Sequence, residues 1–325
     1  MRAQCFPVGC SLGRSPVQLA EVSWQALQGG VRGPHRALGL GKSWRPGGDE
    51  DAMHDDGVQK PWTSWAVTMS RPGGRPKNVH AAPCPKNILY ALVVSRHAER
   101  TPVTDCTALR KSNPEPCGQL TSKGHEQAFR LGQFLRARYA TLLSPDKPGQ
   151  VLATHNYLDR CRDSIEEVIR GLGVQATPDL DPTRYDLIFQ ESLRDNFDAI
   201  VRHPAKGGFE TMGDMLEFIA NKAGAPTKDR SERFLAMDSL ITNTLNGNPM
   251  PSWAVPLWDD LLGAERKMFE MVLSGHELSM ARTVLTRMLD TFSLKFEAGV
   301  DRPDKLHVFS LSDTSLFSVL KLFKP

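Results

Sequence analysis

The 325-residue sequence predicts an α/β fold, a three-layer sandwich with a central, mostly parallel sheet and a helical cap insertion. Three observations predict it. Residues 88–95 (Ile-Leu-Tyr-Ala-Leu-Val-Val-Ser) are a continuous apolar run, the pattern of a parallel strand buried on both faces. From there to about residue 172, strand-like and helix-like patterns alternate, as they do where helices cover a parallel sheet. Helical patterns then dominate until a second apolar run at 306–311 brings the chain back to the sheet.

The elements follow in order. The first 84 residues hold 12 of the 26 glycines and four of the six tryptophans, with prolines throughout, and no helical or strand period survives. We expect residues 1–84 to be a low-order Gly/Pro-rich extension, which an incorrectly assigned start would also produce. The stretch to residue 48 is Arg-rich with Glu21 as its one acid, faintly like a transit peptide. Gly29, Gly30, Pro34 and Gly39 would break the amphipathic helix such a peptide needs. The folded domain is expected over 85–325. After the strand at 88–95 and a Pro-rich loop, Gln119 to Gly124 lead into a helix of about twenty residues, with Ala128, Leu131, Leu135, Tyr139 and Leu142 at helical spacing. A second strand is expected at 151–154, and a second helix at 164–172 with Ile165, Val168, Ile169 and Leu172 on one face. The cap is expected over about 175–300, with helices at 209–222, 232–245, 257–273 and 278–296. A strand at 306–311 and a helix from Thr314 complete the series.

Bulk properties exclude several classes. Net charge is +3, and residues 1–84 alone carry ten Lys/Arg against six Asp/Glu. The folded part is therefore near neutral, which argues against a nucleic-acid partner, because that needs a basic face. No apolar run approaches the ~18–20 residues that span a bilayer. Six scattered cysteines lack zinc-site spacing, so no metal is expected. Cys106 and Cys117 bracket the Pro-rich loop and read equally as a disulfide or as two free thiols. No signal-peptide core and no Asn-x-Ser/Thr sequon occur.

The chemistry concentrates in Arg96-His97-Ala98-Glu99-Arg100-Thr101-Pro102, directly after the first apolar run. A histidine flanked by two arginines at the end of a buried strand is suited to attack phosphorus. The guanidinium forks hold the phosphate oxygens while the imidazole acts as nucleophile.

This segment resembles the signature of the histidine acid phosphatases, the branch containing lysosomal and prostatic acid phosphatases and phytases. The resemblance extends through Gly118-Gln119-Leu120-Thr121-x-x-Gly124, then Leu131-Gly132-x-x-Leu135-Arg136-x-Arg138-Tyr139, and Asp159-Arg160-x-x-x-Ser164. It also takes in Val255-Pro256-Leu257-Trp258 and residues 306–320, covering about 86–325. It implies a phosphoglycerate mutase-like sandwich and a cofactor-free, metal-free reaction through phosphohistidine. His97 would be the nucleophile, Asp313 the acid that protonates the leaving oxygen, and Arg96, Arg100 and Ser312 the phosphate-binding residues. Two positions depart from the pattern. Where the family has a third phosphate-binding arginine at the end of the second strand, the aligned residue is Leu152; Arg160 or Arg162 could reach in instead, but both read rather as solvated or structural helix-start charges. Where it has His-Asp-Thr, this chain has Ser312-Asp313-Thr314, and a hydroxyl carries no charge. Asp313 alone would read as an N-cap.

The expected function is thus acid phosphatase-like hydrolysis of phosphomonoesters, with reduced activity. The alternative is an inactive pseudophosphatase that binds a phosphate ligand or a protein. The expected substrate is a phosphorylated small molecule or phosphoprotein, and a second copy of the chain is a candidate partner. The resemblance implies a lysosomal or extracellular setting, and further strands and helices after Pro325, so that the chain reads as shortened. Arg202-His203-Pro204 lacks a second arginine and reads as a cap loop; His125, His155 and His276 read as solvated or core-edge residues. Met212, Met215, Met268 and Met271 follow helical spacing and read as core.

Overall fold

The sheet consists of β1 (Ala91–Arg96), β2 (Val151–His155), β3 (Asp179–Leu180) and β4 (Leu306–Leu311), in the order β1-β4-β2-β3, with every pairing parallel. The computed structural model describes residues 90–322 apart from 105, 110–114, 145–146, 182, 184, 226–229, 277–278 and 287–303. The expected extension 1–84, the first residues of the opening apolar run and the second half of the 278–296 helix lie outside the described residues.

Strand side chains alternate between two apolar layers, because successive residues of a strand point to opposite faces. Ala91, Val93, Val151, Ala153, Leu306 and Val308 pack with Ala128, Leu131 and Leu135 of α1 (Ser122–Arg138) and Ile165, Val168 and Leu172 of α2 (Asp159–Leu172). Val94, Phe309 and Leu311 face the other way. They meet Met280 and Val284 of α7, described over residues 279–286, and Leu316 and Val319 of α8 (Asp313–Leu322). Helices on both faces of a parallel sheet make the three-layer sandwich that the sequence predicts.

α1 and α2 touch backbone to backbone. A Cβ on Gly132 would lie 2.1 Å from the Val168 carbonyl oxygen, and one on Gly171 would lie 2.0 Å from that of Phe129. Only glycine permits so close a crossing, which seats both helices flat on the sheet.

The cap is built from α3 (Tyr185–Arg202), α4 (Met212–Ala223), α5 (Arg230–Leu245), a 3-10 turn at Val255–Leu257 and α6 (Trp258–Val272). Met215, Ile219, Met237, Leu240, Ile241, Leu261 and Met268 form its core. α4 starts at a capping box in which Thr211 and Asp214 bond each other's backbone amides. No described helix is long and apolar enough to cross a membrane.

Three features differ from the sequence expectations. α3 had no counterpart among them, although Ile188, Phe189, Leu193 and Ile200 recur at helical spacing. It lies between two cores, and its stripe is mostly half-buried. β3, at two residues, is too short to show a period. α2 begins at Asp159, five residues before Ser164, because the buried Cys161 and Ser164 already belong to its inner face. Cys106 and Cys117 are free thiols, one buried and one exposed.

Candidate active site

The C-terminal ends of β1 and β4 lie side by side, with Arg96 opposite Leu311. The chain leaving β1 is anchored amide by amide. His97 N–H donates to the Leu311 carbonyl (3.0 Å), Ala98 N–H to Ser164 Oγ on α2 (3.0 Å) and Glu99 N–H to Gln127 Oε1 on α1 (3.1 Å). Thr101 N–H donates to the Gln119 carbonyl (2.8 Å), and the Thr121 N–H to that of Glu99 (3.0 Å). Gly124 opens α1 beneath this loop, where a Cβ would meet the Glu99 carbonyl oxygen at 2.0 Å. Glu99 itself is buried, taking Thr121 Oγ1 at 3.0 Å and Lys123 Nζ at 2.6 Å. It fastens the loop to α1. The segment from Arg96 to Pro102 is thus held from four directions, the preorganisation that electrostatic catalysis requires.

His97 is 2% exposed. Its Nδ1 lies 2.8 Å from the Ala98 carbonyl; a carbonyl can only accept, so the proton sits on Nδ1 and the Nε2 lone pair is free. Burial, reinforced by the charge of Arg96, pushes the imidazole down to about 3. It is neutral throughout the mildly acidic range, as a nucleophile must be.

Asp313 faces that lone pair, with Oδ2 3.3 Å from Nε2, while Oδ1 accepts from Arg96 Nε. Asp313 is not a simple N-cap: Ser312 precedes the first residue of α8, and the carboxylate turns away from the helix onto His97 and Arg96. Burial pushes the Asp313 carboxyl up, but the charges of Arg96 and Arg100 outweigh it and hold the group well below the usual carboxylate range.

Arg100 is 5% exposed. One terminal nitrogen donates to the Thr101 carbonyl (3.1 Å) and the other to Asp238 Oδ1 on α5 (2.8 Å), leaving Nε buried without a partner. Desolvation disfavours its charge, but Asp238 and Asp313 more than restore it.

The sequence offers Arg160 or Arg162 as a replacement donor but favours a helix-start charge for both; the structure separates them, with Arg160 the one drawn in. Its Nε is also buried without a partner, and the charges acting on it include Arg100, Asp313 and Arg96. Burial and the two neighbouring arginines lower its pKa, yet a guanidinium stays cationic in any protein. Arg162 is a solvated helix-start charge as expected, paired with Asp159 and Asp163.

Leu152 is not part of the site wall. It stands opposite His307, four residues before Leu311, about 13 Å back along the sheet. The end of β2 is His155, followed by Asn156, whose N–H donates to the Ser310 carbonyl (3.2 Å) and whose side-chain amide nitrogen is buried without a partner. β2 runs one residue past the expected 151–154, and Arg160 belongs to the helix that follows it.

Ser312 is buried, but its hydroxyl is engaged with Thr314 Oγ1 (3.2 Å) and Ser315 Oγ (3.1 Å), within the first turn of α8. The structure thus brings together Arg96, His97 and Asp313, adds Arg100 and Arg160, and turns Ser312 inward. Other histidines have partners of their own: His125 bonds Glu167, His276 lies 3.4 Å from Asp195, His155 bonds the Asn156 carbonyl and His307 bonds Thr154 Oγ1.

A buried neutral imidazole, a carboxylate and three guanidinium groups thus gather at the C-terminal edge of the parallel sheet of an α/β protein. The chain is 26% identical over 270 residues to testicular acid phosphatase of Mus musculus, covering 71% of this chain and 62% of that one. It is 24% identical over 264 residues to lysosomal acid phosphatase of Bos taurus, covering 72% and 62%. These relatives are acid phosphatases, each at low identity to the chain, which spans about 62% of the length of the curated relatives it matches. No family model matches. Among solved structures it is similar to the phytase from Citrobacter braakii (19% identity, TM-score 0.45, 70% of this chain and 73% of that one). It is also similar to the Bifidobacterium longum multiple inositol polyphosphate phosphatase (14%, 0.43, 76% and 77%).

Proposed function

We propose that this chain hydrolyses phosphomonoesters through a phosphohistidine on His97. The carrying observation is the His97 environment: a proton held on Nδ1 by the Ala98 carbonyl, and Nε2 free beside Asp313 among guanidinium groups. Nε2 attacks phosphorus, the ester oxygen leaves, and Arg96, Arg100 and Arg160 neutralise the phosphoryl oxygens. Asp313 is ionised at rest because Arg96 bonds it. A phosphate that takes over Arg96 removes that stabilisation, so the carboxyl gains a proton from an acidic medium and passes it to the leaving oxygen. Water then attacks the phosphohistidine, with Asp313 accepting its proton. The substrate is a phosphorylated small molecule or a phosphoprotein.

The test is phosphate release from an aryl phosphate between pH 4 and 7. We expect turnover in wild type and none above background in His97→Ala. Equal rates in the two proteins would refute the mechanism.

One observation favours a second reading, a pseudophosphatase that binds phosphate without turning it over. Ser312 supplies no imidazole, and its hydroxyl is committed to α8. Wild type that binds inorganic phosphate yet releases none from the ester would select this reading.

A further inference from the structure

Arg100 is held by the cap, through Asp238 on α5, and that clamp is incomplete as drawn by its own hydrogen bonds. Asp238 spends Oδ1 on Arg100 at 2.8 Å, while its Oδ2 is buried with no partner. An ionised or polar oxygen in that condition costs stability unless a donor reaches it. The neighbouring cap helix carries a candidate. α6 packs against α5, and its inner face is Leu261, Ala264, Glu265, Met268 and Val272. Glu265 is the one acid on that face and is 7% exposed. Four charged groups act on it: Asp238 from α5, Asp313 from the start of α8, Arg96 from the end of β1 and Arg100 from the loop after it. Burial pushes its carboxyl up to about 8, and Asp238 and Asp313 add to this against the two arginines.

We propose that Glu265 is a positioning residue for the phosphate cradle: it holds a proton that it donates to Oδ2 of Asp238, which fixes Asp238 as the clamp on Arg100. The chain of contacts runs from α6 through α5 to the catalytic loop. Losing the Glu265 proton places two carboxylates side by side, loosens the clamp and misaims the Arg100 Nε–H. Oxyanion binding then weakens on the alkaline side. The step is a protonation equilibrium alone, with solvent as the proton source. The proposal rests on the reading of Arg100 as a phosphate ligand.

Inorganic sulfate is the probe, because its charge is constant from pH 6 to 9 and its binding needs no turnover. Calorimetric titration of wild type should show affinity falling about tenfold across that range, the usual scale of coupling between a protonation and a binding site. Glu265→Gln, which keeps a donor of the same shape, should bind as wild type does at pH 6 and stay flat to pH 9. Asp238→Asn should also lose the pH dependence, since it removes the negative neighbour. An unchanged alkaline loss in Glu265→Gln overturns the proposal. Arg100→Ala separates the two levels: sulfate affinity equal to wild type in that variant overturns the underlying reading instead.

Discussion

At the scale of single residues, the proposed mechanism makes Arg160 one of three phosphate ligands. Arg160→Leu should lower kcat/KM for an aryl phosphate by about 10²–10³-fold, as for loss of one preorganised donor, whereas Arg162→Leu should leave it within about twofold. Equal losses in the two variants would show that Arg160 is not a phosphate ligand. Residues two apart on a helix point about 200° apart, so one of this pair must face in and the other out. Which one faces in depends on where the helix begins. With α2 started at Ser164 the phase is lost, and both arginines read alike as helix-start charges. With α2 started at Asp159, Arg160 lies one turn before the buried Ser164. The signature from Arg96 to Pro102 was legible because it is contiguous and follows a long apolar run. The Asp238 clamp was not legible, since its partner is 138 residues away and an acid inside a cap helix has no local signal.

At the scale of elements, the α1–α2 crossing supports the catalytic loop from behind. Ser164 on α2 holds the Ala98 amide, and Gly124 on α1 lies under Glu99. Gly132→Val would drive a side chain into the Val168 carbonyl, and neither backbone can yield without moving a helix. We expect a loss of about 3 kcal/mol, the upper end of ordinary overpacking, read as a lowered urea midpoint; a midpoint unchanged from wild type would contradict the close crossing. Strand and helix order was legible here because β1, β4 and the inner faces of α1 and α2 are strongly apolar. The glycine contact was not, since a sequence shows that a side chain is missing without showing what comes near.

For the whole molecule, opposing protonations set the shape of stability against pH. The His97 imidazole falls from 6.5 unfolded to about 3 folded, so between these values the unfolded chain binds the extra proton and stability drops as pH falls. The Glu265 carboxyl rises from 4.5 to about 8, so there the folded chain holds the extra proton and stability drops as pH rises. The two slopes oppose each other between about pH 4.5 and 6.5. The depressed Asp313 adds to the acid-side loss. We expect Tm to be level from about pH 4.5 to 6.5, to fall below it through His97 and Asp313, and to fall from about 6.5 to 8 through Glu265. Glu265→Gln should abolish the upper decline. A wild-type Tm that climbs between pH 6.5 and 8 would contradict this assignment.

The strand order β1-β4-β2-β3 carries a consequence for biosynthesis. β4 is inserted between two strands made long before it, and Asp313, at the start of the helix that follows it, meets Arg96 across 217 residues of chain. On the ribosome, β1 and β2 are finished while the strand that must separate them is still untranslated. Each waits with an unpaired hydrogen-bonding edge, the kind of surface that recruits other chains. His97 and Asp313 therefore meet only once β4 has been made and inserted, and a chain synthesised short of it has the histidine without its carboxylate.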